Sequence, residues 1–267
     1  MYLTITLIIV TTIISYRGFR NEFFLDRYSF RPQRVVKNRE FLRFISSGFL
    51  HVSWMHLIIN MLVLYAFGSG LELLLGSIAL LFIYFISLIG GNVFALWIHK
   101  YNHQYNSVGA SGAISGLVFA TIAIRPHHSL FLGIPMWFVG LAYVALTVIA
   151  IRSQRRDVGH AAHLGGGLIG MLTILAIMPN LFVENWIYIL AISLPAIGLI
   201  VIMIYRPNLI LIDKRTQKKQ LTYDDHYNIS KADQKKEVDR ILEKINEKGI
   251  SSLTKKEREL LDEYSRS

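Results

Sequence analysis

Gly109-Ala110-Ser111-Gly112-Ala113-Ile114-Ser115-Gly116 opens an apolar stretch that runs to about Ile124. Its glycines and small side chains leave little bulk at the start of a segment of membrane character, and the hydroxyl of Ser111 sits among them. A serine in such a helix ordinarily bonds back to its own backbone, and the small residues ordinarily serve close helix packing. Histidines in two other segments open a second reading, in which an imidazole turns this hydroxyl into a nucleophile.

Working outward, the chain around this stretch has the profile of a multi-spanning membrane protein. Its 267 residues are 53% hydrophobic, the mean hydropathy is +0.42, and charge is concentrated in a few stretches. Seven apolar segments lie at roughly 2–16, 52–70, 73–98, 110–124, 130–151, 161–178 and 186–205, against the roughly 20 residues that a helical span needs. The first has no basic stretch before it and no small-residue cleavage site after it, so it reads as a retained span. The expected fold class is all-α, a polytopic membrane helical bundle over residues 1–206 followed by a polar tail over 207–267. In the tail, Val238, Ile241, Leu242 and Ile245 recur at helical spacing up to Gly249, and Thr254-Lys255-Lys256-Glu257 has the form of a capping box. A small helical hairpin with an unknown partner is expected there.

The net charge of +10 does not call for nucleic acid, because the basic residues flank apolar segments or lie in the tail. Topology and anionic lipid headgroups account for them more simply. The absence of cysteine excludes disulfides, thiol catalysis and thiolate metal sites. Between the first two spans, residues 17–50 mix Lys and Arg with Phe23, Phe24, Leu25, Tyr28 and Phe30. That mixture predicts a structured segment at the membrane interface rather than a flexible loop.

Polar side chains inside spans are costly and point to function. His56 and Asn60 are four apart on one face of the second span, with His51 at its mouth; Ser111 opens the fourth; His160 and His163 stand near the start of the sixth. These three spans run in the same direction, so their polar groups gather toward one side of the bilayer. A Ser111–His163 pair would be a nucleophile and its base, while His56, Asn60 and the Ser111 N–H are suited to stabilise an oxyanion. Gly112-x-x-x-Gly116 and Gly166-x-x-x-Gly170 would let spans four and six approach closely. Zinc is not expected: there is no His-Glu-x-x-His, and His51 and His56 point about 140° apart around a helix. Neither metal nor cofactor is called for. A transporter is disfavoured because no inverted repeat is present.

The motifs His51-Val52-Ser53-Trp54-Met55-His56-Leu57-Ile58-Ile59-Asn60, Gly109-Ala110-Ser111-Gly112 and Ala162-His163-Leu164-Gly165, in that order on alternate spans, resemble those of the rhomboid intramembrane serine proteases. The resemblance covers about residues 41–170. It implies a six-helix core, over about 41–178 here, enclosing a water-filled cavity, with a seventh span added. It also implies Ser111 as nucleophile, His163 as general base, and His56 and Asn60 as the oxyanion hole. Arg43 resembles the arginine of the family's first loop and Glu72 its acid after the second span, with His51 and His160 as further structural support. The implied activity is serine endopeptidase cleavage of transmembrane segments of protein substrates, in the lipid bilayer of the cell membrane. The alternative is a non-catalytic relative that binds such segments. Leu42 stands where the family usually has a tryptophan, and Ser115 where an aromatic often stacks on the catalytic histidine.

All Lys and Arg except Arg125 lie in the first, third and fifth connections and the tail. The positive-inside rule makes that side cytoplasmic, and the polar groups of spans two, four and six face it. The family resemblance implies an extracytoplasmic site, so the two criteria oppose each other.

Overall fold

The computed structural model describes residues 2–102, 105–129, 133–152 and 159–205, with positions 238, 240–246, 252–254, 257–258 and 261 of the tail. The chain divides into two compact units, Met1–Ile212 and Asp213–Ser267.

The first unit is an all-α bundle. In chain order its helices are α1 (Tyr2–Arg20), α2 (Glu22–Tyr28), α3 (Pro32–Asn38), α4 (Arg43–Ser46), α5 (Trp54–Leu75), α6 (Ser77–His99), α7 (Ser111–Ile124), α8 (Met136–Arg152), α9 (His160–Ile177) and α10 (Asn180–Tyr205). Of these, α1, α5, α6, α9 and α10 are long and apolar enough to cross a membrane. The two remaining apolar helices, α7 and the Met136–Ile149 part of α8, are shorter. This is a multi-pass membrane protein.

Helix boundaries follow local chemistry. Ser53 caps α5 by accepting the His56 N–H, and α5 ends at Gly76, whose φ of 83° suits only glycine without strain. The second span therefore runs past 70 to Leu75, which puts Glu72 inside a helix rather than in a connection. The final span likewise begins at Asn180 rather than 186, because a backbone break at Asn185 (φ −124°, ψ 19°) is absorbed within α10. The Asn185 amide donates to the Ala123 carbonyl at 3.0 Å, near the end of α7.

The centre of the bundle is made of α6, α7 and α9. Every α7 residue from Gly112 to Ala120 is buried, so this short helix is wrapped by protein, where lipid makes no demand on its length. Close approach depends on glycine. A Cβ on Gly166 would fall on the Gly112 carbonyl, one on Gly170 on the backbone of Gly116, and one on Gly91 on the Ala162 carbonyl. The paired small-residue stripes of α7 and α9 therefore meet backbone to backbone.

The basic connection between α1 and α5 is structured, built of α2, α3, α4 and a 3-10 turn at Ser47–Phe49. Phe30 and Val35 are buried with Ala95, Ala161 and Ala162, and Phe44 packs against them. Arg43 is the anchor. Its Nη1 donates to the carbonyls of Asp26 at 2.8 Å and Ser29 at 2.5 Å, and its Nε donates to Glu40 at 2.5 Å. Leu42, beside it, is 64% exposed and takes no part in this anchoring. The hydrogen bond from Arg43, then that from Asn38, holds the Glu40 carboxyl below the usual carboxylate range.

In the second unit, residues 241–246 are helical and Val238 and Ile241 are buried. Thr254 N–H donates to Glu257 at 2.7 Å and Glu257 N–H to Thr254 Oγ1 at 3.4 Å, the reciprocal pair of a capping box. Positions 238 and 240 are helical as well, and the other residues of the expected helix up to Gly249 lie outside the described residues.

Candidate active site

Ser111 is the first residue of α7. Gly109 precedes it with φ +132°, a conformation open to glycine and strained for other residues. The Gly109 N–H donates to the Ser47 carbonyl at 2.9 Å, and the first α7 bond inward is from the Ile114 N–H to the Ala110 carbonyl at 3.0 Å. The N–H groups of Ser111, Gly112 and Ala113 are thus among the donors a helix start leaves without helical acceptors.

His163 lies one turn into α9 and its N–H bonds to the Gly159 carbonyl. Its Nε2 is 2.5 Å from Ser111 Oγ. With the hydroxyl donating to Nε2, the ring is the Nδ1–H tautomer. The glycine contacts of α7 and α9 make this distance reachable.

His56 approaches from α5. A Cβ built on Gly109 would lie 3.0 Å from His56 Cε1, 3.1 Å from its Nε2 and 3.5 Å from Ser111 Oγ. The imidazole and the hydroxyl therefore converge beside Gly109, in space that the missing side chain leaves to them. Asn60, one turn along, is buried, and its Nδ2 donates to the His56 carbonyl at 2.9 Å. In this arrangement the amide braces the His56 turn.

His51 is fully buried behind His56, their rings 4.8 Å apart and edge-on. Ser15 Oγ of α1 donates to the Phe49 carbonyl at 2.9 Å, so its 2.9 Å contact with His51 Nδ1 has the imidazole as donor. His51 Nε2 then accepts from Ala110 N–H at 3.5 Å. Burial, and then the neighbouring His56, push the His51 pKa down to about 3, in keeping with a neutral ring that donates on one side and accepts on the other. His160 packs edge-on to His163 with 6.5 Å between centroids.

Glu72 lies far from Ser111 in the chain and serves another end of the bundle. It accepts from the N–H groups of Leu3 and Thr4, from Thr4 Oγ1 and from Ser77 Oγ, at 2.7–3.0 Å. A carboxylate placed there caps the start of α1 and faces the positive end of its dipole.

A polar cavity of about 20 Å³ adjoins the hydroxyl, lined by Ser47, Asn92, Ser107, Ser111 and His163 among others, enough for about one water molecule. One wall is held by Ser107, which exchanges backbone hydrogen bonds with Phe30 of the first connection at 2.9 and 3.1 Å. Asn92 Nδ2 donates to the Phe44 carbonyl at 2.8 Å and to Ser47 Oγ at 3.2 Å. Neither Asn92 nor Ser107 was expected from the sequence; Asn92, an amide within a span, carried the signal that marks such residues.

The family described as Rhomboid domain matches residues 38–180, more than half of the chain. The chain belongs to the rhomboid family. It is 32% identical over 157 residues to "Rhomboid protein 1, mitochondrial" of Saccharomyces cerevisiae, covering 56% of this chain and 45% of that protein. It is 24% identical over 178 residues to "RHOMBOID-like protein 12, mitochondrial" of Arabidopsis thaliana, covering 60% and 53%. With "Rhomboid protease AarA" of Providencia stuartii it shares 30% identity over 210 residues, 69% of this chain and 73% of that one. This rhomboid thus spans about half the length of the two mitochondrial relatives. Its residues 221–267 match a second family, described only as of unknown function (DUF6576).

Proposed function

We propose that this rhomboid is an intramembrane serine endopeptidase that cleaves transmembrane segments of membrane proteins in the cell membrane. The observation that carries the reading is the 2.5 Å approach of Ser111 Oγ to His163 Nε2. Ser111 attacks a substrate carbonyl as His163 takes its proton. The tetrahedral oxyanion sits in the space beside Gly109, facing His56 and the free N–H groups at the start of α7, with Asn60 as part of the same donor set. His163 then protonates the leaving amine. Water from the adjoining cavity hydrolyses the acyl-enzyme, with the imidazole again as base. Substrate helices that unwind easily are favoured, because a hydrogen-bonded helix hides its carbonyls.

A fluorophosphonate probe tests the reading against that of a non-catalytic binder of transmembrane segments. The purified chain takes up one probe at Ser111, and Ser111→Ala and His163→Ala take up none. Equal labelling of wild type and Ser111→Ala contradicts the assignment.

A further inference from the structure

Ser115 and Tyr143 form a polar link that the chemistry above does not use. Tyr143 stands midway along α8, and its hydroxyl is 2.6 Å from Ser115 Oγ on α7. Ser115 Oγ is in turn 2.7 Å from the carbonyl oxygen of Ser111. A serine hydroxyl has one proton, and a carbonyl only accepts. Ser115 therefore donates to Ser111, and Tyr143 donates to Ser115. The result is a directed chain from Tyr143 O–H through Ser115 O–H to the peptide carbonyl of Ser111, of the kind whose members polarise one another in a low-dielectric interior.

The Tyr143 ring also packs on a second α7 residue, Phe119, which stands between it and α9. The two rings meet edge-on, with centroids 5.6 Å apart at 78°. Phe119 packs against α9 at Gly167, where a Cβ would come within 3.0 Å of its Cδ2 and Cε2. Ser115 is one turn past Ser111, and Gly167 one turn past His163. Thus Tyr143 bears on α7 directly and on α9 through Phe119, whose contact at Gly167 lies one turn inward from the imidazole. Among the described residues it is also the sole side-chain hydrogen bond from α8 to another helix, since Thr147 Oγ1 bonds to the Tyr143 carbonyl of its own helix.

We propose that Tyr143 is a positioning residue for the Ser111–His163 pair. It fixes the Ser111 peptide through Ser115 and the spacing of α7 from α9 through Phe119. The proposal rests on the reading of Ser111 and His163 as the reacting pair. It also gives Ser115 a purpose: a small hydroxyl at that position admits the tyrosine of a neighbouring helix.

The test compares the full chain in liposomes as wild type, Tyr143→Phe, Ser115→Ala and the double variant, with Ser111→Ala as blank. A transmembrane model peptide yields kcat and KM; a small fluorophosphonate yields the rate of reaction at Ser111 without substrate docking; thermal unfolding reports folding. Tyr143→Phe keeps the ring and removes only the donor. It is expected to lower kcat and the probe rate together by about three- to twentyfold, the worth of one interhelical hydrogen bond, with KM within about twofold. The double variant is expected to be no slower than the worse single one, because both changes cut the same chain. An unchanged kcat, a loss confined to KM or to peptide cleavage, or losses that multiply would each overturn the proposal. So would a lower unfolding midpoint with unaltered rates. Activity surviving in Ser111→Ala overturns the reading of the pair as well, which separates the two failures.

Discussion

Gly109 is constrained from two directions at once. Its φ of +132° strains any side chain, and the space a Cβ would fill belongs to the His56 ring, 3.0 Å away. Gly109→Ala is expected to cost about 1–3 kcal/mol of stability and to reduce cleavage more than that loss explains, measurable by unfolding and kinetics on one preparation. Glu72 makes a contrasting case. Replacing it by Gln puts an NH2 against donors at the start of α1 and leaves some of them unsatisfied, so Glu72→Gln is expected to destabilise the bundle by about 1–3 kcal/mol while KM stays unchanged. At this scale the sequence was informative where chemistry and direction coincided. Ser111, His163 and His56 are polar groups near the starts of spans that run the same way, and the structure brings them within a few ångströms of Gly109. It was uninformative about partners chosen by tertiary contact. Nothing local announces that Glu72 faces the Thr4 N–H, 68 residues away in the chain, or that Ser115 meets Tyr143, 28 residues on.

The crossing of α7 and α9 is the element that holds the hydroxyl and the imidazole together. Gly166→Ala would press a methyl group onto the Gly112 carbonyl, so the helices must part. Overpacking of this kind costs about 1–3 kcal/mol, and a displacement near 1 Å at reacting atoms costs on the order of a hundredfold in rate. A large fall in kcat with a modest fall in the unfolding midpoint is therefore expected; unaltered kcat would contradict the role given to the glycines. This crossing was legible because small residues at four-residue spacing have a direct packing consequence. The extents of α5 and α10 were not, since Glu72 and Asn185 read as polar interruptions until their partners are seen. In the tail, the Lys244 ammonium, followed by Thr254, holds the Glu257 carboxyl down to about 2. A lowered carboxylate pKa contributes stability that is full above the unfolded value near 4.5 and is lost as pH falls toward 2. Protection of the Glu257 and Arg258 amides in the full chain, taken relative to an unfolded reference at each pH, is expected to fall across that window, and in Glu257→Gln to lose this dependence.

For the whole molecule, the fold class followed from seven apolar segments, whereas orientation does not follow from charge alone. Tyr101 and Ser129 are exposed in successive connections, on opposite sides of the bilayer. In this cysteine-free chain, single-cysteine variants at the two positions label selectively with an impermeant reagent in intact cells. Labelling at Tyr101→Cys alone puts the Ser111 end outside; labelling at Ser129→Cys alone follows the positive-inside count.

The central claim is that the Ser111 hydroxyl, activated by His163, cleaves peptide bonds within the bilayer. Its most direct test is cleavage of a single-span substrate by the purified chain in liposomes, with fragments identified by mass. Wild type is expected to release two fragments cut within or beside the span, and Ser111→Ala and His163→Ala to release none above background. Equal fragment release by Ser111→Ala would contradict the account.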